Sequence, residues 1–131
     1  MSKLIFVCSP FRDTNVNRKA ANVNLAHTIC RHVIQRGYLP LTPHIYFPQF
    51  LDDNDATERE LGINYGLAAL EMCDEVWVWG QPGEESEGML KEVTHAKQFM
   101  VPVKYQAEWL PKGTKTGAKV LAFKPPKNSE S

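Results

Sequence analysis

The chain has 131 residues, 43% of them hydrophobic and 23% charged, and its fifteen basic side chains balance fifteen acidic ones. This length is typical of one domain that buries its own core. We expect residues 1–123 to form that domain and residues 124–131 to be a flexible tail. The zero net charge, without a long basic stripe, disfavours a nucleic-acid polymer as partner and permits self-association.

The cysteines give little sign of metal or redox chemistry. Cys8, Cys30 and Cys73 form no CxxC pair and no Cys/His ligand spacing, so no metal is expected. The chain also lacks a GxGxxG loop, so we expect no cofactor. Scattered cysteines suit a reducing compartment, and the apolar N-terminal run is too short for a signal peptide or a membrane span. These features predict a cytoplasmic protein that does not bind a membrane.

The first third of the chain predicts a strand, a helix and a second strand. Leu4–Cys8 is a continuous apolar run, as in a buried parallel strand. Val16–Gln35 has apolar residues at helical spacing and ends near Gly37, a plausible C-cap. Residues 38–41 resemble a short strand. The aromatic, proline-broken stretch of residues 43–55 fits neither period, and we predict a long loop over one edge of the sheet.

The remaining segments continue the alternation. They are a helix over residues 57–72, a strand over 76–79, a helix from the N-cap Ser86 to about Phe99, a strand beginning at 101–103 and a candidate fifth strand at 120–123. Strands that alternate with helices favour a parallel sheet. The sequence therefore predicts a three-layer α/β fold, flavodoxin- or Rossmann-like, with four or five parallel strands and helices on both faces.

In such sheets, ligands bind at the carboxyl ends of the strands. The segments at these ends are residues 9–12, 44–53 and 80–88, and we expect them to converge. The last segment leads into the helix that Ser86 caps, and a helix start offers free N–H groups and partial positive charge to an anion. Gly88 would allow close approach of that ligand.

Glu92 lies about one and a half turns into the same helix. A carboxylate in the crevice could attack or stabilise an anomeric carbon. The alternative is a capped helix with a solvated glutamate. In the proline-broken stretch, His44 and Tyr46 beside Asp53 either stack on and hydrogen-bond a base or cover the edge of the core. Trp77 and Trp79 share one strand face and are expected to pack against a helix or an oligomer partner.

Three segments carry a family resemblance: residues 5–12 (IFVCSPFR), residues 73–78 (CDEVWV) and the motif Ser86-x-Gly88-Met89-x-x-Glu92. Together they resemble the nucleoside 2-deoxyribosyltransferase-like superfamily, which includes transferases and 2′-deoxynucleoside 5′-monophosphate N-glycosidases. The resemblance spans roughly residues 4–103. It implies a flavodoxin- or Rossmann-like fold, a small-molecule nucleoside or nucleotide as ligand, and assembly into homodimers or higher oligomers.

The resemblance also implies roles for individual residues. Glu92 matches the nucleophile, which forms a glycosyl ester with C1′, and Asp74 matches a structural aspartate that opens the third strand. Ser86 matches a serine that contacts the 5′-phosphate in the monophosphate hydrolases, and Arg12 matches a basic residue of the first phosphate-side loop. The full set of candidate substrate-binding residues is Ser9, Arg12, His44, Tyr46, Asp53, Gly80, Ser86, Gly88 and Met89.

Two positions depart from the family pattern. Phe6 lies where the family has a tyrosine that orients the nucleophile, and Gly66 lies where it has an aspartate that protonates or holds the departing base. Asp52, Asp53, Asp55 or His44 are candidate substitutes for that acid.

Three functions remain open on this basis. One is an N-glycosidase or deoxyribosyltransferase-like enzyme that uses Glu92 as nucleophile. The alternative is a non-catalytic protein that binds a nucleotide in the same crevice. The third is a scaffold-type oligomer with a vestigial crevice.

Overall fold

The computed structural model describes residues 2–11 and 15–106. Within these ranges the order is β1 (Leu4–Cys8), α1 (Val16–Gln35), β2 (Leu39–Leu41), α2 (Pro43–Tyr46), a 3₁₀ turn (Phe47–Gln49), α3 (Ala56–Leu70), β3 (Glu75–Val78), α4 (Glu87–Gln98) and β4 (Val103–Tyr105). The candidate strand at 120–123 and the tail at 124–131 lie outside the described residues. None of the helices in the described ranges is long and apolar enough to cross a membrane.

The four described strands form one parallel sheet in the order β2-β1-β3-β4. Phe6 of β1 lies opposite Leu41 on one side and Val76 on the other, so β1 and β3 are the two central strands. Both central strands are buried on both faces, which explains their nearly continuous apolar sequences. The predicted α/β fold with a parallel sheet is confirmed.

One face of the sheet packs against α1. Trp77 of β3 and Trp79, the residue after this strand, are almost fully buried in a cluster with Leu25, Ile29 and Val33 of that helix. Their rings lie 6.2 Å apart, centroid to centroid. The prediction that both tryptophans pack against a helix is therefore confirmed.

The opposite face packs against α3 and α4. Here Phe6 and Cys8 of β1 share a buried cluster with Leu70 of α3 and with Met89 and Val93 of α4. Because the helices lie on both faces of the sheet, the layers are α/β/α. This second face brings the start of α4 against the carboxyl end of β1.

Side-chain caps fix the starts of α1 and α3. Asn15 accepts a hydrogen bond from the backbone of Arg18 and begins α1. Asp55 accepts hydrogen bonds from the backbone of Thr57 and Glu58 and begins α3. Caps of this kind satisfy backbone N–H groups that have no partner inside the helix.

Asp74 joins the starts of two central strands. Its carboxylate accepts a hydrogen bond of 2.7 Å from the backbone N–H of Leu4, and its own N–H donates to the Leu4 carbonyl over 2.8 Å. This contact ties β3 to β1 at the amino edge of the sheet, which is a structural role.

Glu75 forms a fully partnered charge cluster at the same edge. Its carboxylate accepts hydrogen bonds from Lys3 at 2.8 Å, Lys104 at 3.1 Å and the Trp77 indole at 2.8 Å. Burial alone would raise the pKa of Glu75, but the bonds from Lys3, Trp77 and Lys104 outweigh it and bring that pKa to about 2. The carboxylate is therefore ionised wherever the protein is folded near neutral pH.

The prediction of a long loop over residues 43–55 is wrong for its first half. Pro43 occupies the first turn of α2, where its missing N–H costs nothing. The chain then tightens into the 3₁₀ turn, with backbone bonds from Ile45 to Thr42 and from Phe50 to Phe47. These elements pack on α3, where a Cβ on Gly62 or Gly66 would lie only 3.3–3.4 Å from atoms of residues 43–51. Tertiary packing therefore makes helical a segment that lacks a helical pattern.

Candidate functional site

A cavity of about 660 Å³ opens at the carboxyl edge of the sheet. Its wall combines the chain after β1, α2 and the 3₁₀ turn, one face of α3, and the first turns of α4. Two of the three segments that were expected to converge contribute to it, together with the Ser86–Gly88 end of the third. A cleft at this edge is the usual place for a ligand in a parallel α/β sheet.

Glu92 lines this cavity from the second turn of α4. Its atom Oε1 is buried and has no hydrogen-bond partner among the residues that the structure describes. Burial raises the pKa of Glu92 to about 8, although the influence of the Cys8 thiol acts in the opposite direction. The solvated alternative for Glu92 does not fit, because Oε1 is buried in the cavity wall.

The start of α4 forms one rim of the cavity. Ser86 caps the helix, and its hydroxyl accepts a hydrogen bond of 3.3 Å from the backbone of Met89. A Cβ on Gly88 would meet nothing within 4 Å in the described structure, so the surface in front of Gly88 is open. Ser86, Gly88 and Met89 all line the cavity.

His44 and Ser9 form a pair on another part of the wall. His44 Nε2 lies 3.1 Å from Ser9 Oγ, and both residues line the cavity. Burial lowers the pKa of His44 to about 4, so its imidazole is neutral at pH 7. His44 Nδ1 is buried without a hydrogen-bond partner in the described part of the chain, and the Phe11 ring lies 5.8 Å away.

The other predicted site residues are placed differently. Asp53 lines the cavity. Gly80 lines a smaller cavity of about 130 Å³ that shares Ser86 and Met89 with the larger one, and its φ of 143° is a conformation that favours glycine. Tyr46 is not in the wall of either cavity: its ring is 55% exposed and packs on Phe47 and Phe50. Arg12 lies outside the described residues.

The two departures from the family pattern have packing reasons. Phe6 is fully buried in the apolar core between the sheet and α4, a position that suits a side chain without a hydroxyl. Gly66 is buried beneath α2, and a Cβ there would contact Pro43 at 3.4 Å. His44, the residue next to Pro43, lines the cavity instead.

Of the four candidate substitutes for the acid, two are engaged elsewhere. Asp55 caps α3, and Asp52 accepts a hydrogen bond from the backbone of Asn54. Neither lines the cavity, whereas His44 and Asp53 do.

Sequence reasoning did not identify two cationic side chains of the cavity wall, Arg59 of α3 and Lys91 of α4. Residues 58–60 were predicted only to belong to the helix over residues 57–72. The available signal was helical spacing, because Arg59, Gly62, Ile63 and Gly66 recur every three or four residues and all lie in the wall. In the described ranges, no cluster of three or more His, Cys, Asp or Glu side chains could hold a metal ion.

Comparisons with known proteins give a family and a structural neighbour. The chain belongs to the family described as Domain of unknown function (DUF7768), whose profile matches residues 3–106. Among solved structures, it is similar to a 2-deoxyribosyltransferase from the psychrotolerant bacterium Bacillus psychrosaccharolyticus, described as a biocatalyst for nucleoside synthesis. The TM-score is 0.58 at 16% identity, over 78% of this chain and 70% of that one. No curated protein matches the sequence. At this identity the likeness establishes the fold.

Proposed function

We propose that this protein cleaves or transfers at the N-glycosidic bond of a nucleoside or nucleoside 5′-monophosphate, with Glu92 as the nucleophile. The observation that carries the proposal is the unpartnered, buried Oε1 of Glu92 in the wall of the 660 Å³ cavity. An unpaired polar atom in that position is costly unless a ligand completes it. The shared fold with a 2-deoxyribosyltransferase supports the same reaction class.

In the proposed reaction, a carboxylate oxygen of Glu92 forms a bond to C1′ while the C1′–N bond breaks and its electron pair moves to the base. Water or a second base then attacks C1′ and releases Glu92. Glu92 must be ionised to react, and its pKa of about 8 places only a fraction of the free protein in that state at pH 7. The positive charge that develops on the sugar ring favours the carboxylate in the transition state.

The remaining wall residues fit the two ends of such a substrate. Ser86 and Gly88, at the positive end of the α4 dipole, would hold the sugar or its 5′-phosphate. His44 and Asp53, near α2 and the start of α3, would contact the base. Because His44 is neutral, it would act as a hydrogen-bonding group rather than as an imidazolium acid.

The second candidate is a nucleotide-binding protein without turnover. It is favoured by Gly66, which carries no acid and packs against Pro43, and by Phe6, which carries no hydroxyl. A glycosidase that lacks a general acid loses about 10²–10⁴-fold in rate. The crevice and its ligand would be the same in both cases.

The test incubates the protein with a panel of nucleosides and 5′-monophosphates and follows free base by chromatography. Glu92→Gln should abolish base release, a loss of about 10⁴-fold or more. The matched control is Glu71→Gln, since Glu71 pairs with His95 outside the cavity. Release that persists in Glu92→Gln refutes the nucleophile. Nucleotide binding without release by the wild type supports the second candidate.

The assembly and location of the protein belong to the same proposal. We expect a cytoplasmic homodimer or higher homo-oligomer that binds a small molecule. Exposed aromatic side chains support self-association, because Phe50 is 61% and Tyr65 52% exposed on the surface that α3 shares with the 3₁₀ turn. Sedimentation of the purified protein would measure the oligomeric state, and a monomer at micromolar concentration would contradict this part.

A further inference from the structure

A buried thiol lies against the start of α4, the helix that carries Glu92. Cys8 is the last residue of β1, is fully buried, and faces the layer that α3 and α4 form. The other two β1 side chains on this face are Leu4 and Phe6, which carry no hydrogen-bond donor. The Cys8 thiol is therefore the polar hydrogen that β1 brings to the start of α4.

The thiol is weakly engaged in the ligand-free structure. Its Sγ lies 3.8 Å from the carbonyl oxygen of Met89. Met89 and Glu92 are three residues apart on α4, so they share one face of the helix. A thiol is a weak donor at this distance, whereas a carboxylate is a stronger acceptor than a carbonyl. An ionised Glu92, whose Oε1 has no partner in the described ranges, would therefore draw the thiol hydrogen to itself.

We propose that Cys8 is a positioning residue for Glu92: its thiol donates a hydrogen bond to the carboxylate when Glu92 ionises and holds that carboxylate toward the cavity. The inference deepens the proposed function and rests on it for the role of Glu92 as nucleophile. It assigns no chemistry to the sulfur itself. No bond to sulfur forms or breaks, and the thiol keeps its proton throughout.

The pKa values of both groups support this arrangement. Burial raises the pKa of Glu92 to about 8, and the hydrogen bond from Cys8 opposes that rise because it favours the ionised form. Burial, and then the charge of Glu92, keep the pKa of Cys8 well above its ordinary value of 9.0. Cys8 therefore stays protonated, and remains a donor, at every pH at which Glu92 titrates.

Other charged groups surround the pair without replacing the thiol. The Tyr105 hydroxyl donates to Glu85, and the charge of Glu85 also raises the pKa of the Cys8 thiol. The titratable groups that share the cavity wall with Glu92 are His44 of α2, Asp53, Glu58, Arg59 and Glu60 around the start of α3, and Glu87 and Lys91 of α4. Within the described part of the chain, burial and Cys8 are the influences that set the pKa of Glu92.

The test titrates the Glu92 carboxyl group directly, by ¹³C NMR of protein labelled at its glutamate carboxyl carbons. Glu92→Gln identifies the resonance by its disappearance. Cys8→Ala removes the donor and should raise the Glu92 pKa by about half a unit to one unit. Cys8→Ser keeps the shape and supplies a stronger donor, so it should lower that pKa. A purely structural role for Cys8 would not move the pKa in opposite directions.

The matched control is Cys73→Ala. Cys73 is a second buried thiol of the same core cluster, and its Sγ lies 3.6 Å from the Ala69 carbonyl on α3. Its removal should perturb packing comparably and leave the Glu92 titration in place. If Cys8→Ala does not fold, wild type and Cys8→Ser are compared alone, and a Glu92 pKa that fails to fall in Cys8→Ser overturns the inference.

A second readout separates this inference from the proposed function. In the base-release assay, the pH at which activity is half-maximal should move upward in Cys8→Ala and downward in Cys8→Ser, by the same amounts as the titration. If both variants shift the titration in one direction, or neither shifts it, Cys8 does not hold Glu92. If the wild type releases no base, the proposed function fails, and the titration still decides whether the thiol holds the carboxylate.

Discussion

One glutamate lies at each end of the parallel strands: Glu75 at the amino end, where β3 begins, and Glu92 of α4 beside the cavity at the carboxyl end. The pKa values of their carboxyl groups shift in opposite directions. At the amino edge, Glu75 has the partners Lys3, Lys104 and Trp77, and its pKa falls to about 2. At the carboxyl edge, Glu92 forms no ion pair among the described residues, and burial raises its pKa to about 8. Burial favours the neutral acid at both places, so the partners make the difference.

This comparison separates a structural carboxylate from the carboxylate that we propose as the nucleophile. Glu75 has satisfied its oxygens within the fold, and its interactions stabilise the folded chain. Glu92 keeps an unsatisfied oxygen beside an open cavity, so the interaction that would stabilise it is left for a ligand. Natural proteins retain such groups where they bind or react.

The largest expected effect is on the pH dependence of stability. Glu75 has a folded pKa below its ordinary 4.5, so its stabilisation is present above pH 4.5 and is lost as pH falls toward 2. Glu92 has a folded pKa above 4.5, so its contribution is full below pH 4.5 and is lost as pH rises to about 8. The contribution of each group to the free energy of unfolding changes by about a few kcal/mol across its pH range.

Urea unfolding of wild type, Glu75→Gln and Glu92→Gln across pH 3–9 measures both slopes. Glu92→Gln should remove the loss of stability between pH 4.5 and 8, and Glu75→Gln should remove the loss below pH 4.5. If the plots of unfolding free energy against pH are parallel for the three proteins, Glu75 and Glu92 do not differ in their effect on stability.

The next effect is on activity. Because Glu92 must be ionised to attack C1′, kcat/KM for base release should rise about tenfold per pH unit below pH 8 and level off above it. That is about 50-fold between pH 6 and pH 8, because half of the carboxyl groups are ionised at a pH equal to the pKa. Glu71→Gln should keep this profile. A flat profile, or one that falls across this range, would contradict the assignment of Glu92 as the nucleophile.

A smaller effect concerns stability at a single pH. Glu75→Gln should lower the free energy of unfolding at pH 7 by about 1–2 kcal/mol, because the charge-assisted bonds from Lys3 and Lys104 are lost. Glu92→Gln should leave that free energy unchanged or raise it, since a neutral amide replaces a costly buried acid. Denaturant titrations at pH 7 distinguish the two variants. An equal loss of unfolding free energy in both would contradict the difference between Glu75 and Glu92.

The smallest expected effect concerns Gly88, at the start of α4 in the cavity wall. Gly88→Ala should stabilise α4 by about 0.5–1 kcal/mol, since alanine favours a helix and its Cβ meets no neighbour. The same methyl group should weaken ligand binding, measured by calorimetry. Gly62→Ala is the control for stability: its Cβ would come within 3.3 Å of Leu51 Cδ1, so it should gain less. Unchanged affinity in Gly88→Ala would place the ligand elsewhere.

Much of the fold could be predicted from the sequence because its signals are local. The apolar run Leu4–Cys8 and the helical pattern of Val16–Gln35 coincide with β1 and α1 as observed. The helix predicted for 57–72 spans Ala56–Leu70, and the one predicted for 86–99 spans Glu87–Gln98. In each case a capping side chain or an unbroken period is contained within the segment itself.

The site was only partly predictable. The Ser86-to-Glu92 motif identified one wall of the cavity, because a helix N-cap and a carboxylate six residues later are properties of a single helix. Tyr46 was expected in the site, but its ring packs on Phe50 outside the cavity wall. Arg59 and Lys91 were missed because the local sequence around a charged helix residue does not indicate whether its side chain faces solvent or a cleft.

The sequence by itself therefore determined the alternation of strands and helices and the helix that carries Glu92, since periods and caps act over a few residues. The tertiary structure alone decided the rest. It made residues 43–49 helical by packing them on α3, brought His44 rather than Asp52 or Asp55 to the cavity, and set the Cys8 thiol against the Met89 carbonyl of α4. These contacts join residues far apart in the chain. The burial that raises the pKa of Glu92 and the partners that lower the pKa of Glu75 exist only once the layers have packed.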